Sequence, residues 1–244
     1  MKDVIFTVTE NTKLTQNVYK MTLCGDCSDI TRPGQFVNIK LDGLYLRRPI
    51  SVCDREGDAL TLIYKVVGKG TEQMSGIKSG EKLLLLTGLG NGYDISVSGQ
   101  KPLLLGGGVG VPPLYMLAKE MIKVGKEVSV VLGFNTKDEV FYKEEFKALG
   151  CSVTVTTVDG SCGKKGFVTD ALPEEYSYYY TCGPLPMLKA VFNGCKSSGQ
   201  LSFEERMGCG FGACMGCSCK TVTGYKRICK DGPVLYKEEI LWEK

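Results

Sequence analysis

The chain has 244 residues, with 30 Lys or Arg against 27 Asp or Glu, and this net charge of +3 does not indicate nucleic acid or an anionic membrane as the main partner. It contains no histidine, which excludes an imidazole base, a histidine metal ligand and the Ser-His-Asp and Cys-His nucleophiles, and with them most hydrolase mechanisms. Electron or hydride transfer, which needs no such base, stays open as a function class.

Residues 1–99 are predicted to form a small antiparallel β-barrel. Short apolar runs alternate there with turn signals such as Pro33-Gly34 and Asp42-Gly43. The segment Leu46–Ser51 lies between the end of one such run and the start of another. The predicted strands are Val4–Thr9, Val18–Cys24, Gln35–Lys40, Leu60–Val67 and Lys82–Leu86.

Residues 100–201 are predicted to form a parallel α/β sheet, because apolar strands alternate there with helical segments. Residues 202–244 are rich in cysteine and lack periodicity, which indicates a small third region. The chain is thus predicted to combine an all-β part with an α/β part. The predicted elements are strand Leu103–Leu105, helix Leu114–Val124, strand Val128–Phe134, helix Val140–Leu149, strand Val153–Val158, a helix near Thr169–Leu172 and strand Ser177–Thr181.

The glycine-rich turn Gly106–Gly110 follows the first strand of the α/β part. A strand–turn–helix of this kind presents free N–H groups to a pyrophosphate. The turn does not follow the G-x-G-x-x-G pattern, because Val111 stands where the third glycine would be, and Pro112 and Pro113 open the helix instead. A nucleotide site is therefore predicted, with a turn that serves packing alone as the alternative.

The C-terminal cysteines follow a metal-ligand spacing. Cys209, Cys214 and Cys217 form a C-x4-C-x2-C run, and Cys229 lies twelve residues beyond Cys217, which is the spacing of plant-type [2Fe–2S] centres. Small residues in the run permit backbone N–H groups to approach the sulfurs. A structural zinc site, which prefers paired C-x2-C knuckles, and coincidence are the alternatives. Cys219 lies in a predicted outgoing strand and is not assigned as a ligand.

The N-terminal sequence and the number of cysteines indicate the cellular compartment of the protein. No apolar run is long enough for a signal peptide, and no stretch is suited to a membrane helix. The sequence therefore predicts a cytoplasmic protein without a membrane partner, in which thiols stay reduced. Under reducing conditions, 12 cysteines indicate metal or cofactor ligands rather than disulfides.

Three segments in this order resemble the ferredoxin–NADP reductase superfamily: Leu46–Ser51, Gly106–Gly110 and Thr181–Met187. Two more, Glu205–Gly210 and Cys229–Val234, narrow the resemblance to the electron-transfer subunits of class 1B, NAD-dependent dihydroorotate dehydrogenases. The resemblance covers the whole chain. It implies an FAD-binding β-barrel domain over residues 1–99, an NAD-binding α/β domain over 100–201 and a [2Fe–2S] subdomain over 202–244.

The same resemblance implies the binding residues, with no catalytic residue on this chain. FAD would contact Arg48, Pro49, Ile50, Ser51, Ile63, Tyr64, Lys65, Gly70 and Thr71. NAD would contact Gly106, Gly107, Gly108, Val109, Gly110, Cys182, Gly183 and Pro184. The cluster would be held by Cys209, Cys214, Cys217 and Cys229. Arg48 suits the FAD pyrophosphate and Ser51 the flavin near N5, whereas the family more often has arginine where Lys65 stands.

The implied function is electron transfer from the FMN of a catalytic partner subunit, through the cluster and FAD, to NAD+, in pyrimidine (UMP) biosynthesis. Dihydroorotate oxidation would belong to the partner, in a heterotetramer with two of each subunit. Two alternatives stay open. One is a related subunit of the ferredoxin–NADP transhydrogenase or sulfide dehydrogenase type, although the transhydrogenase type departs from four cluster cysteines. The other is a cysteine-rich zinc-binding module without enzymatic activity.

The segment Asn135–Glu139 favours NAD over NADP. It follows the strand Val128–Phe134, where an adenosine ribose is expected. A 2′-phosphate usually meets an arginine, and this segment offers only Lys137 beside two acidic residues, Asp138 and Glu139.

Overall fold

The N-terminal part of the chain is a closed antiparallel β-barrel, which confirms the predicted all-β part. The structure, a computed structural model, describes residues 1–242. The barrel strands are β1 (Lys2–Lys13), β2 (Val18–Cys24), β3 (Phe36–Lys40), β4 (Arg48–Glu56), β5 (Ala59–Lys65) and β6 (Lys82–Leu89). They are hydrogen-bonded in the closed order β1-β2-β5-β4-β3-β6.

Side-chain alternation fills the barrel interior. Every second residue of β6 from Leu83 to Leu89 is buried, because successive side chains of a strand point to opposite faces. Phe6 on β1, Met21 on β2 and Ile39 on β3 are fully buried in the same core. The outer face of the barrel is consequently free to pack against the rest of the chain.

Nine further strands follow the barrel within residues 1–242. They are β7 (Pro102–Gly107), β8 (Ser129–Phe134), β9 (Ser152–Thr157), β10 (Lys164–Lys165), β11 (Tyr178–Cys182), β12 (Gly199–Ser202), β13 (Ser218–Thr221), β14 (Gly224–Arg227) and β15 (Val234–Tyr236). Seven of them form one sheet in the order β10-β9-β8-β7-β11-β12-β15, while β13 and β14 form a separate hairpin. All neighbours in the large sheet are parallel except β12 and β15. The predicted parallel α/β part is confirmed, with one antiparallel edge strand added.

The helices are short. They are α1 (Lys69–Ser75), α2 (Pro113–Lys123), α3 (Lys143–Ala148) and α4 (Leu185–Gly194). The longest, α2, has 11 residues, and within residues 1–242 no helix combines the length and apolar character that crossing a bilayer requires.

Three segments differ from the predicted elements. Arg48–Glu56 is one continuous strand, β4, rather than a junction between two runs. Helix α3 begins only at Lys143, because Tyr142 adopts a left-handed φ of 63° that no helix can contain. The predicted helix near Thr169–Leu172 is a single 3₁₀ turn, Val168–Ala171.

The cysteine-rich C-terminal segment packs between the barrel and the sheet. Its strand β15 pairs with β12 through Leu235 and Leu201. Its Cys217 and Cys229 share one apolar core with Phe36 of the barrel. The segment therefore contacts both the sheet and the barrel. The domain limits at residues 1–99, 100–201 and 202–244 stay a prediction.

Two sets of polar contacts fix the barrel against the sheet. Lys119 on α2 binds Asp54 of β4 at 2.8 Å, with both side chains largely buried, and also pairs with Glu56. In the connection after β6, Asn91 donates from its main-chain N–H to the Gly232 carbonyl and exchanges two side-chain hydrogen bonds with Val234. The linker is thereby tied to the chain just beyond Cys229.

Candidate functional site

The barrel opens between β4 and β5 at the predicted FAD-binding residues. Strand β4 pairs with β5 only from Val52 to Glu56 in the described chain, while Arg48–Ile50 pair with β3 alone. On the other side of the opening, Ile63–Lys65 pair with β2 and not with β4 in the described chain. The backbone of both strands is consequently unpaired where they face each other, and a planar ligand can bind along it.

Gly70 at the start of α1 closes one end of this opening. The Arg48 guanidinium packs directly over the Gly70 backbone, so it would have to move if Gly70 carried a side chain. Arg48 also donates from Nη1 to the Leu46 carbonyl. The predicted FAD residues of the three segments are therefore brought together, with a half-buried arginine suited to a diphosphate among them.

Not every predicted FAD residue offers its side chain to this opening. Tyr64 is buried in the barrel interior, where its hydroxyl donates to Asn11 at 3.0 Å. Ile63 is buried on the side that faces the sheet. The Thr71 hydroxyl accepts from the Val67 N–H at 2.9 Å and caps α1. Contacts of Tyr64 and Thr71 with FAD can therefore involve only their main chain, and the assignment stays a prediction.

The two predicted NAD segments touch each other at the carboxyl ends of β7 and β11. Gly110 has room for no β-carbon, which would collide with the carbonyl of Cys182. Gly183 lies against Gly107, whose N atom would be 3.3 Å from a β-carbon there. Gly108 has a φ of +51° and faces open space. In parallel α/β sheets such carboxyl ends are where ligands bind.

Cys182 lies at the end of β11 in a poorly solvated place. Burial raises the pKa of its thiol to about 12, against a smaller opposing effect of the hydrogen bond with Ser202. The neighbouring Tyr93 donates its hydroxyl to the Thr181 carbonyl at 3.1 Å. Cys182 is therefore a neutral thiol at physiological pH and no nucleophile.

One cleft of about 700 Å³ connects the two predicted nucleotide sites. It lies between the barrel and α4, and the segment before the cluster loop forms its third side. Its lining residues are Leu46, Arg47, Arg48, Pro49, Gly183, Leu185, Leu188, Glu204, Glu205, Arg206 and Met207. Predicted FAD, NAD and cluster-loop segments thus border a single space.

The segment after β8 carries a carboxylate at the expected ribose position. Glu139 accepts hydrogen bonds from the main-chain N–H and the side-chain amide of Asn135, at 3.0 and 2.8 Å. This arrangement holds a negative charge at the strand end, while the Lys137 side chain is exposed.

The four predicted ligand cysteines form two pairs. Sγ of Cys209 accepts the N–H groups of Ala213 and Cys214, at 3.2 and 3.4 Å. Sγ of Cys217 accepts the N–H of Cys229 at 3.4 Å. Within residues 1–242, no three His, Cys, Asp or Glu side chains converge in a way that could hold a single metal ion. Two pairs suit a binuclear cluster, in which each iron takes two protein ligands, better than a mononuclear zinc site.

Backbone N–H groups favour the charged form of the first ligand. Partial burial raises the pKa of the Cys209 thiol, but the N–H groups of Cys214, Phe211 and Ala213 outweigh this and lower it to about 6. These hydrogen bonds favour the thiolate of Cys209, the form that binds metal. The donor set fits a [2Fe–2S] cluster in its chemistry.

Arg227 ties the two cysteine pairs together. Its guanidinium binds Asp231 through Nε at 2.9 Å and Nη2 at 3.2 Å, and Nη1 donates to the Gly212 carbonyl at 3.1 Å. Asp231 follows Cys229, and Gly212 lies between Cys209 and Cys214. Cys219 stands apart on β13, opposite Lys226.

Three residues of this site were missed by the sequence prediction: Asn38, Asn91 and Arg227. Asn38 is a polar residue between apolar neighbours in β3, which is the one local signal in the sequence, and the structure shows that it is buried. Asn91 and Arg227 contact residues far along the chain or across a loop, and no local pattern marks them.

Two family models match the chain. Residues 204–241 match the iron-sulfur cluster binding domain of dihydroorotate dehydrogenase B, and residues 104–193 match the oxidoreductase NAD-binding domain. A curated relative from Fusobacterium nucleatum is 46% identical, over 96% of this chain and 96% of its own. A relative from Bacillus pumilus is 45% identical, over 98% of each. Both are named dihydroorotate dehydrogenase B (NAD(+)), electron transfer subunit.

Solved structures share all or most of the fold. A structure described as an NADH-dependent reduced ferredoxin-NADP oxidoreductase, studied for flavin-based electron bifurcation, is 32% identical with a TM-score of 0.86, over 97% of this chain and 90% of its own. An Amycolatopsis cytochrome P450 reductase is 21% identical with a TM-score of 0.70, over 79% of this chain and 65% of its own. The second likeness concerns the fold alone.

Proposed function

The chain belongs to the family of electron transfer subunits of NAD(+)-dependent dihydroorotate dehydrogenase B. From this we propose that it accepts electrons from a partner subunit, which oxidises dihydroorotate, and transfers them to NAD+. The chain is an NAD-linked flavin and iron-sulfur oxidoreductase subunit whose cofactors are FAD, a [2Fe–2S] cluster and NAD. The pathway it serves is pyrimidine biosynthesis.

The meeting of three segments at one cleft is the observation that carries this proposal. Arg48 and Pro49 come from the barrel, Gly183 from the sheet, and Glu204–Met207 from the segment that leads into the cluster loop. Electron transfer between bound groups requires short separations, and a shared cleft provides them. A chain that bound only zinc, or only a nucleotide, would have no need for this convergence.

Each segment has a separate task in the proposed function. Bound FAD supplies the exchange between single-electron and hydride transfer. Arg48 would bind its diphosphate and Ser51 would orient the ring, while Gly106–Gly110 would bind the nucleotide pyrophosphate through free N–H groups. The thiolates of Cys209, Cys214, Cys217 and Cys229 would hold the cluster. These residue roles are proposals that rest on the resemblance and on the contacts described above.

A catalytic partner subunit follows from the family, since its members are named electron transfer subunits. We propose that this partner contains FMN and that two copies of each subunit assemble. The cluster loop and the adjacent hairpin are suited to be the docking face, because they expose apolar side chains beside the cysteines. These are Phe211, Met215, Val222 and Tyr225.

The partner proposal predicts a division of activity. The isolated chain should oxidise NADH with ferricyanide but should not oxidise dihydroorotate. Mixed with the catalytic subunit, it should couple dihydroorotate oxidation to NAD+ reduction. Steady-state assays of each subunit and of the mixture measure this, and light scattering of the complex measures its mass. Turnover of dihydroorotate by this chain alone would refute the assignment.

A pair of variants locates the docking face. Tyr225→Glu places a charge on the hairpin and should weaken binding of the catalytic subunit on the order of 10-fold or more, as the loss of a central interface aromatic does. Phe167→Glu is the matched control, because Phe167 is also exposed but lies in the sheet region beside β10. If Tyr225→Glu bound the catalytic subunit as tightly as Phe167→Glu does, the hairpin would be excluded from the interface.

The carboxylate of Glu139 predicts the nucleotide preference. A 2′-phosphate placed near it would be repelled, so kcat/KM for NADH should exceed that for NADPH by about tenfold or more, the cost of one unfavourable charge contact. Glu139→Gln retains an acceptor for Asn135 and removes the charge. It should therefore reduce the difference between the kcat/KM values for NADH and NADPH. Glu144→Gln on α3 is the control. Diaphorase assays with both nucleotides provide the measurement, and a preference for NADPH would contradict the prediction.

A second candidate function is that of the ferredoxin–NADP transhydrogenase type, which the 32% identical solved structure favours. The full set of four cluster cysteines and the higher identity of the curated relatives, 46% and 45%, favour the first. Reduction of NADP+ that requires reduced ferredoxin, together with failure to couple to a dihydroorotate-oxidising subunit, would establish the second instead.

A further inference from the structure

Strand β3 lies between the predicted flavin-binding strand and the cluster loop. Phe36 is paired with Ser51 of β4, and Asn38 is paired with Pro49. Val37 lies in the barrel core, whereas Phe36 lies in the core that contains the cluster cysteines. Because side chains alternate along a strand and paired residues share a face, Phe36, Asn38, Pro49 and Ser51 all lie on the outer face of the barrel.

Each of the two cysteine pairs is contacted by one residue of β3. Phe36 packs in the same apolar core as Cys217 and Cys229. Asn38 donates from Nδ2 to the carbonyl of Cys209 at 3.4 Å. Gly210, the next residue of the loop, has a φ of +80° and leaves no room for a β-carbon, because the Asn38 amide occupies that space. The loop is therefore shaped around Asn38.

The other half of the Asn38 amide is unused. Its side chain is 1% exposed, and Oδ1 has no hydrogen-bond partner within residues 1–242. Pro49, the residue directly across the ladder, has no N–H to donate. A buried amide oxygen without a donor is unfavourable. An acceptor held in this state beside a predicted flavin-binding strand is suited to a donor that arrives with a ligand.

We propose that Asn38 is a positioning residue that joins the cluster loop to bound FAD: Nδ2 holds the Cys209 carbonyl, and Oδ1 accepts a hydrogen bond from an O–H or N–H group of the flavin. The proposal rests on the proposed function, since it requires both cofactors. One side chain of β3 then contacts both the cluster loop and the bound flavin.

Two substitutions of Asn38 separate the two hydrogen bonds. Asn38→Asp keeps an acceptor for the flavin but has no donor for Cys209, so it should disturb the cluster alone. Asn38→Leu has a similar volume and neither function, so it should disturb both. Thr87→Val is the control. Thr87 is an equally buried polar residue of β6, and its hydroxyl donates to the Lys2 carbonyl on β1 rather than to the cluster loop.

The measurements are FAD affinity by fluorescence titration, iron and sulfide content, the electron paramagnetic resonance spectrum of the reduced cluster, and thermal stability. Asn38→Leu should weaken FAD binding about 10- to 100-fold, as the loss of one buried hydrogen bond does, and should change the cluster spectrum. Asn38→Asp should change the spectrum with FAD affinity within about threefold of wild type. Thr87→Val should change only stability.

The outcomes distinguish this inference from the proposed function. A wild-type protein without flavin or iron would overturn both. A wild-type protein with both cofactors, and an Asn38→Leu variant with FAD affinity or cluster spectrum like those of Thr87→Val, would overturn the role of Asn38 alone. If Asn38→Leu does not fold, Asn38→Asp decides: an unchanged spectrum, or FAD affinity lost together with the cluster, contradicts the separate roles of Nδ2 and Oδ1.

Discussion

Replacing any one of Cys209, Cys214, Cys217 or Cys229 with serine is expected to remove nearly all bound iron and sulfide, whereas Cys219→Ser is expected to retain them. A serine hydroxyl is a poor substitute for a thiolate at an iron-sulfur centre. The two-pair arrangement makes each iron depend on two cysteines, so the loss of one leaves an iron with a single protein ligand. Iron and sulfide analysis of the purified variants, with visible absorption, measures the effect.

Burial divides the four variants further. Cys217 and Cys229 are 2% and 1% exposed and belong to the core between the barrel and the sheet. Their serine variants should therefore also lower the free energy of unfolding, by about 1–3 kcal/mol for a buried hydroxyl that gains no partner. Cys214 is exposed, and its variant should lose the cluster with little change in the fold of the remaining chain.

Two other cysteines serve as matched controls. Cys195 is 2% exposed, and Cys24 is exposed. Cys195→Ser should lower stability without loss of iron, and Cys24→Ser should change neither. Retention of iron on Cys229→Ser together with its loss on Cys219→Ser would show that the ligand set is wrong.

The sequence was sufficient for the features that depend on local pattern. The barrel strands are short apolar runs bounded by turn residues, as in β6, and the parallel strands are continuous apolar runs, as in β7. The cysteine spacing is also local. These patterns predict an element wherever it lies in the fold, and they therefore gave the architecture and the cluster motif.

Features that depend on pairing between distant segments were not predictable. Strand β4 contains Pro49 and two arginines and has no clean alternation, because half of it pairs with β3 and half with β5. Strand β15 is three residues long and exists only because β12 offers it an edge. The Asn38 contact joins residues 171 positions apart. No window of sequence contains both partners of such a contact.

Gly110→Ala is expected to have the largest effect on the nicotinamide reaction. A methyl group at this position would collide with the carbonyl of Cys182, which belongs to the backbone and cannot rotate away. The turn Gly106–Gly110 and the segment Cys182–Pro184 would have to separate, and these are the two segments predicted to bind the nucleotide. Because a misplacement of 1 Å can cost about 100-fold, kcat/KM for NADH in the ferricyanide assay should fall by about that factor.

The same substitution should leave FAD and the cluster bound, which would show that the loss of NADH oxidation arises at the nucleotide site. FAD and iron content should stay at wild-type levels, since the opening at Arg48 and the cysteine pairs do not touch Gly110. Overpacking should lower the free energy of unfolding by about 1–3 kcal/mol. Gly194→Ala is the control, because a β-carbon there would make only an ordinary contact with Thr169, at 3.7 Å. If Gly110→Ala oxidised NADH as Gly194→Ala does, the contact between the two segments would have no part in binding the nucleotide.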